Sequence, residues 1–276
     1  MLNDYERAEL ENYLANRFVR QPENIQDEDF ISQWQEWIDQ SADCEAGEIL
    51  NTYICKKLPA KFNEPSKILI EIYNSTAGSV PVIIFDNASD FESFIVNLIY
   101  KGQRPDDIAQ MGASFIFGKK QRFLVLSKKY YSNTAPEFVG LPSEEWREKS
   151  MILRREHECT HYYTKKFYGS ASNNLHDELI ADFFGIYAVF GYYKAKLFKH
   201  FMGIDGTHKG RLSLYTSGLS PNVRKAVEEI ACRSSDWLEE WSKSEEFLRM
   251  SSAERINFLC EKNVTEMFES YIIGRN

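Results

Sequence analysis

Residues 157 to 161 read His-Glu-Cys-Thr-His, two histidines four positions apart with a glutamate directly after the first. On an α-helix, positions four apart differ by about 40° around the axis and about 6 Å along it. Both imidazoles then leave one face and can converge on a single cation. Glu158 flanks that face. It is badly placed to bind the cation and well placed to take a proton from a water held there. A catalytic zinc site uses three protein ligands and keeps one position open. The run Glu178-Leu-Ile-Ala-Asp182 offers the third ligand, because Glu178 and Asp182 are again four apart and share a helix face. Glu178 is therefore expected to ligate, and Asp182 to accept a hydrogen bond from the free ring N–H of a ligand histidine, His157 before His161. The ligand types make Zn2+ the expected cofactor, while manganese or cobalt suits the same donors. The competing reading is two solvated histidines on a charged helix face. Cys159 and His176 each lie two positions from a ligand, about 200° round the helix. Cys159 is expected to pack, and His176 to be a first-turn surface histidine.

His157-Glu158-x-x-His161 followed by Glu178-x-x-x-Asp182 resembles the gluzincin branch of the zinc metallopeptidases, the thermolysin-like arrangement. The longer run Glu178-x-x-Ala181-Asp182-x-x-Gly185 is similar to the second motif of Ste24/HtpX-type peptidases. Those are membrane proteins, so only the motif is shared. The metzincin pattern needs glycine at position 164 and histidine at 167, where this chain has Thr164 and Phe167. The resemblance spans residues 155–185. It implies a zincin-like fold, a peptide or protein substrate, hydrolysis of peptide (amide) bonds with Glu158 as general base, and a Tyr, His or Arg that holds the oxyanion. His208, Arg211 and Tyr215 follow the second motif and are candidates for that last role. Two further readings stay open. One is a regulatory or sensing zincin-like protein acting on one partner, as ImmA/IrrE-like proteins do. The other is a non-catalytic metal-binding interaction protein, against which the intact Glu158 argues, since a structural site has no use for a base.

The elements that must position these groups follow from hydrophobic period. Helical spacing over Tyr5–Phe18, Asp29–Ile38 and Asn51–Lys57 predicts a helical N-terminal extension over residues 1–58. The β-branched runs Lys67–Tyr73 and Val80–Phe85 read as strands. Asn87 or Ser89 is expected to cap a helix over Asp90–Tyr100. Ala113–Phe117 and Arg122–Ser127 flank Gly118-Lys-Lys-Gln121 as a hairpin, either supporting the active-site helix or holding extended substrate on an exposed edge. Strands thus occupy 67–127. Ser143 is expected as the cap of a helix over about 144–168, stopped by Gly169. A polar loop at Ser170–Asn173 leads to a helix capped by Asn173 or Asn174 and running over about 174–200, and 211–276 is helical. The aromatic group Phe183, Phe184, Tyr187, Phe190, Tyr192 and Tyr193 is expected in the core. Helices, then strands, then helices indicate α+β: a small mixed sheet packed on an HExxH helix, with helical N- and C-terminal additions and a catalytic domain over 59–276.

Composition agrees with a folded globular protein. Of 276 residues, 43% are hydrophobic and 14% aromatic, enough for a large core. The net charge of −8, from 33 basic and 41 acidic side chains, disfavours nucleic acid and anionic membrane partners. Five scattered cysteines without a C-x-x-C pair argue against disulfides and thiolate zinc. With no secretory signal in Met1–Arg20 and no run of about 18 apolar residues, the expected location is cytoplasmic.

Overall fold

The four strands pair into one small mixed sheet, and helices make up most of the other described elements, so the chain is α+β. A computed structural model describes residues 2–21, 30–41, 44–118, 122–169 and 174–274. The strands are β1 (Ile68–Ser75), β2 (Gly78–Phe85), β3 (Ala113–Phe117) and β4 (Arg122–Ser127). The helices are α1 (Asp4–Leu14), α2 (Phe30–Gln40), α3 (Ala46–Tyr53), α4 (Ala88–Leu98), α5 (Pro136–Val139), α6 (Ser143–Tyr168), α7 (Leu175–Phe190), α8 (Ala195–Met202), α9 (Leu212–Tyr215), α10 (Pro221–Trp241), α11 (Glu245–Arg249), α12 (Ser252–Glu261) and α13 (Val264–Ile273). Among the described residues, no helix is long and apolar enough to cross a membrane.

Two compact units divide the chain: residues 24–158, and residues 1–23 with 159–276. The sheet belongs to the first, with strand order β1-β2-β4-β3. β1 and β2 are antiparallel, as are β3 and β4, while β2 and β4 run parallel. In β2 every residue from Val80 to Phe85 is buried, the unbroken apolar run of a strand covered on both faces. Trp34 and Trp37 of α2, Leu50 of α3 and Phe91 and Phe94 of α4 fill the core with Phe85 and Phe123. Asn87 caps α4, accepting from the N–H groups of Ser89 and Asp90. The buried Asp90 carboxylate in turn accepts the N–H groups of Asn63 and Glu64, which fixes the segment leading into β1. The N-terminal half of α6 is tied to this unit. Arg154 donates to the Ser127 and Lys129 carbonyls, Trp146 Nε1 donates to the Thr134 carbonyl, and Tyr73 OH donates to Glu156.

In the helical unit, α7 carries a nearly continuous buried surface. Phe183 packs among Tyr193, Trp241 and Phe247, with ring centroids 4.9, 5.8 and 5.7 Å away. The aromatic group on and after α7 is only partly core: Phe183 and Tyr193 are buried, whereas Tyr192 is 46% exposed. α1 is polar, and carboxylates anchor it. Glu9 accepts from Ser220, and Glu6 from Asn222, at the start of α10.

Several expected boundaries move for physical reasons. The first 58 residues do not stay together: α2 and α3 lie in the sheet unit and α1 in the helical one. α6 begins at Ser143 itself, since the Trp146 N–H already bonds to the Pro142 carbonyl. The helix expected over 174–200 is two helices. Gly191 adopts φ +70, a left-handed conformation that stops α7, and α8 starts afresh at Ala195. The loop at Ser170–Asn173 and the Lys119–Gln121 part of the hairpin turn lie outside the described residues. Asn174 is the cap of α7, its side chain accepting from the Asp177 N–H. Asn174→Ala is expected to cost about 1 kcal/mol in urea unfolding, and an unchanged midpoint would mean that the cap does not hold α7.

Candidate metal centre

His157 and His161 lie about one helical turn apart on α6. Ligand atoms of His157, His161 and Glu178 all lie within 4.8 Å of one another. The three residues are 5%, 6% and 3% exposed. The Nε2 of His161 stands 3.5 Å from the Oε1 of Glu178. Two donors of one tetrahedral zinc stand about 3.3–3.4 Å apart when each bond is about 2.0–2.1 Å, so this pair is spaced for a shared ion. Two imidazoles and one carboxylate are also the donor set of a catalytic zinc site.

The far side of each imidazole is engaged. His161 Nδ1 lies 3.1 Å from Asp177 Oδ1. A carboxylate thus faces the Nδ1 side of the ring, and Glu178 faces its Nε2 side. Thr164 Oγ1 donates to the Asp177 carboxylate. His157 Nδ1 lies 3.0 Å from Tyr131 OH, which comes from the segment between β4 and α5. A ring engaged at Nδ1 offers Nε2 to a cation. Burial disfavours a charged His161, but the Asp177 and Glu178 carboxylates prevail and hold its pKa well above the ordinary histidine value.

Residues 54–122 and 119–270 match the family described as "Family of unknown function (DUF7005)". The chain belongs to that family. No curated protein and no solved structure matches it.

In this DUF7005 member, Asp182 is met by an arginine. Its carboxylate meets Arg211 Nη2, while Arg211 Nη1 lies 3.4 Å from Glu178 Oε2. Glu178 and Asp182 do share a face, but a guanidinium bridges them, and the groups set against the two rings are Tyr131 and Asp177. Tyr215 also stands in the field of Glu178. Burial and the Glu178 charge raise its pKa well above the ordinary tyrosine value, against the opposing charge of Arg211. Of the three candidate oxyanion donors, Arg211 and Tyr215 thus stand near the Glu178 carboxylate. His208 is gathered instead with His200 and Asp205. Glu158 is half-buried, and its side chain makes no ion pair with the described residues. Cys159 is packed, as expected. His176 is not on the surface: it is 6% exposed, its Nε2 is 2.8 Å from the Leu259 carbonyl, and burial pushes its pKa down to about 4.

Sequence reasoning missed Asp177 and Tyr131. Asp177 directly precedes Glu178, where a first-turn acid is explained by the helix dipole alone. Tyr131 sits in an irregular segment without a period to read. Asp177→Asn is expected to weaken zinc binding by about 10–100-fold, read by competition with a chromophoric chelator. Unaltered affinity would remove Asp177 from its supporting part.

Proposed function

We propose that this chain is a zinc-dependent hydrolase with a zincin-like fold, cleaving peptide (amide) bonds of a peptide or protein substrate. The observation that carries this reading is the convergence of His157, His161 and Glu178 ligand atoms within 4.8 Å of one another, with the half-buried Glu158 following His157 in the chain.

When bound, zinc supplies Lewis acidity that polarises a substrate carbonyl and lowers the pKa of water to about 7. His161, oriented by Asp177, and His157, oriented by Tyr131, hold the ion with Glu178. Glu158 takes the proton of the attacking water and delivers it to the leaving nitrogen. Arg211 positions Glu178 through its carboxylate, and Arg211 and Tyr215 are the candidate donors to a developing oxyanion. β3 is an edge strand, the type that accepts an extended peptide by backbone hydrogen bonds.

The test is zinc content together with turnover of a mixed peptide library. Wild type should carry zinc and cleave. His161→Ala should lose that zinc and all cleavage. Cleavage that survives in His161→Ala would remove the site from the reaction.

A further inference from the structure

Eight residues, Gly203 to Gly210, connect α8 to the segment entering α9. The two glycines at the ends of this loop are pressed together. A Cβ on Gly203 would come 2.1 Å from Gly210 N, and one on Gly210 would come 2.2 Å from Gly203 N. Gly203 also adopts φ +73. Only glycine permits such a backbone contact at that dihedral, so the loop is closed by construction. Its middle, Asp205 to Lys209, is exposed, so apolar burial does not hold it.

Polar groups do. Asp205 accepts from the N–H and the hydroxyl of Thr207, which fixes its carboxylate. Its other oxygen, Oδ2, lies 2.7 Å from Nδ1 of His200, on the last turn of α8. His208 turns back over the same group. Its Nδ1 is 3.0 Å from Thr207 Oγ1 and 4.0 Å from Asp205 Oδ1, and its ring centroid is 4.4 Å from that of His200.

We propose that His200, Asp205 and His208 form a second divalent-cation site, for a borderline transition ion such as zinc, which clasps the loop between α8 and α9. One ligand atom from each residue lies within 4.8 Å of the others. Contraction to the spacing of about 3.3–3.4 Å that zinc requires asks only for small rotations of two exposed side chains. Hydrogen bonding alone needs one imidazole on Asp205, and the second is explained by a ligand set. Two neutral imidazole nitrogens and a carboxylate suit zinc, cobalt or nickel better than magnesium or calcium, which take oxygen donors. Three ligands with solvent at hand describe an accessible site, separate from the buried group on α6 and α7.

The experiment titrates zinc chloride into full-length, chelator-stripped protein and follows bound metal by equilibrium dialysis. It compares wild type, His208→Ala, Asp205→Asn and His161→Ala. Wild type should bind one zinc ion more than His208→Ala, and Asp205→Asn should bind that ion at least about tenfold more weakly. Asp205→Asn keeps an oxygen acceptor for Thr207, so it tests ligation even if His208→Ala unfolds. Zinc should also slow tryptic cleavage after Lys209 in wild type and in His161→Ala, but not in His208→Ala. Equal zinc binding in wild type, His208→Ala and Asp205→Asn, without protection at Lys209, overturns the proposal. Metal loss in the loop variants but not in His161→Ala would support the clasp while overturning the hydrolase reading.

Discussion

Glu158→Gln is expected to lower peptide hydrolysis about 10²–10⁴-fold while leaving zinc content unchanged. Glutamine keeps the shape of glutamate but cannot accept a proton, so the loss falls on proton transfer and not on packing. In free energy this is about 3–5 kcal/mol of transition-state stabilisation. The substitution is cleanly readable because Glu158 is half-buried and makes no ion pair with the described residues. Its removal leaves no buried partner charge behind, and stability should shift by no more than about 0.5 kcal/mol. The defect should appear in kcat, with KM nearly constant, since the proton moves only as the water attacks. A Glu158→Gln protein that cleaves at the wild-type rate would show that some other group is the base.

The parts of the site that were legible in the sequence are those governed by one helix. His157 and His161 converge because four residues of α-helix leave no other arrangement, and Glu178 and Asp182 share a face for the same reason. What each group touches across the fold has no such rule. Spacing sets Asp182 beside Glu178 but does not reveal Arg211, 29 residues downstream, which meets its carboxylate. Tyr131, the group at His157, arrives from an irregular segment. Fold class was readable from the β-branched runs, and all four strands fall where those runs lie. The order β1-β2-β4-β3 was not, because β2 and β4 pair in parallel across a connection containing α4 and β3. The single helix expected through residue 200 failed at Gly191, where a left-handed stop interrupts an otherwise apolar pattern. The N-terminal helices were recognisable as helices, but periodicity does not say which unit a helix joins. For α1 the answer lay in Glu6 and Glu9, carboxylates that reach the start of α10.

Chelation is expected to lower the melting temperature of the protein by about 10 °C relative to the zinc-loaded state. The pocket on α6 and α7 buries the carboxylates of Asp177, Glu178 and Asp182 around two imidazoles, with the Arg211 guanidinium on the last two carboxylates. Buried charge is costly where its partners are few, and a cation that binds only the folded chain offsets that cost by mass action. At a free zinc concentration about a thousandfold above Kd, the gain is about 4 kcal/mol. For a chain of this size each kcal/mol moves the transition by about 2–4 °C, which sets the expected shift. Scanning calorimetry in a His208→Ala background isolates the effect, because an ion on the α8–α9 loop then makes no contribution. In that background, adding His161→Ala should abolish the zinc-dependent shift, since it removes a ligand, whereas adding Glu158→Gln should preserve it, since the base does not hold the ion. A melting temperature indifferent to zinc in the otherwise intact site would mean that His157, His161 and Glu178 stand together for a reason other than metal.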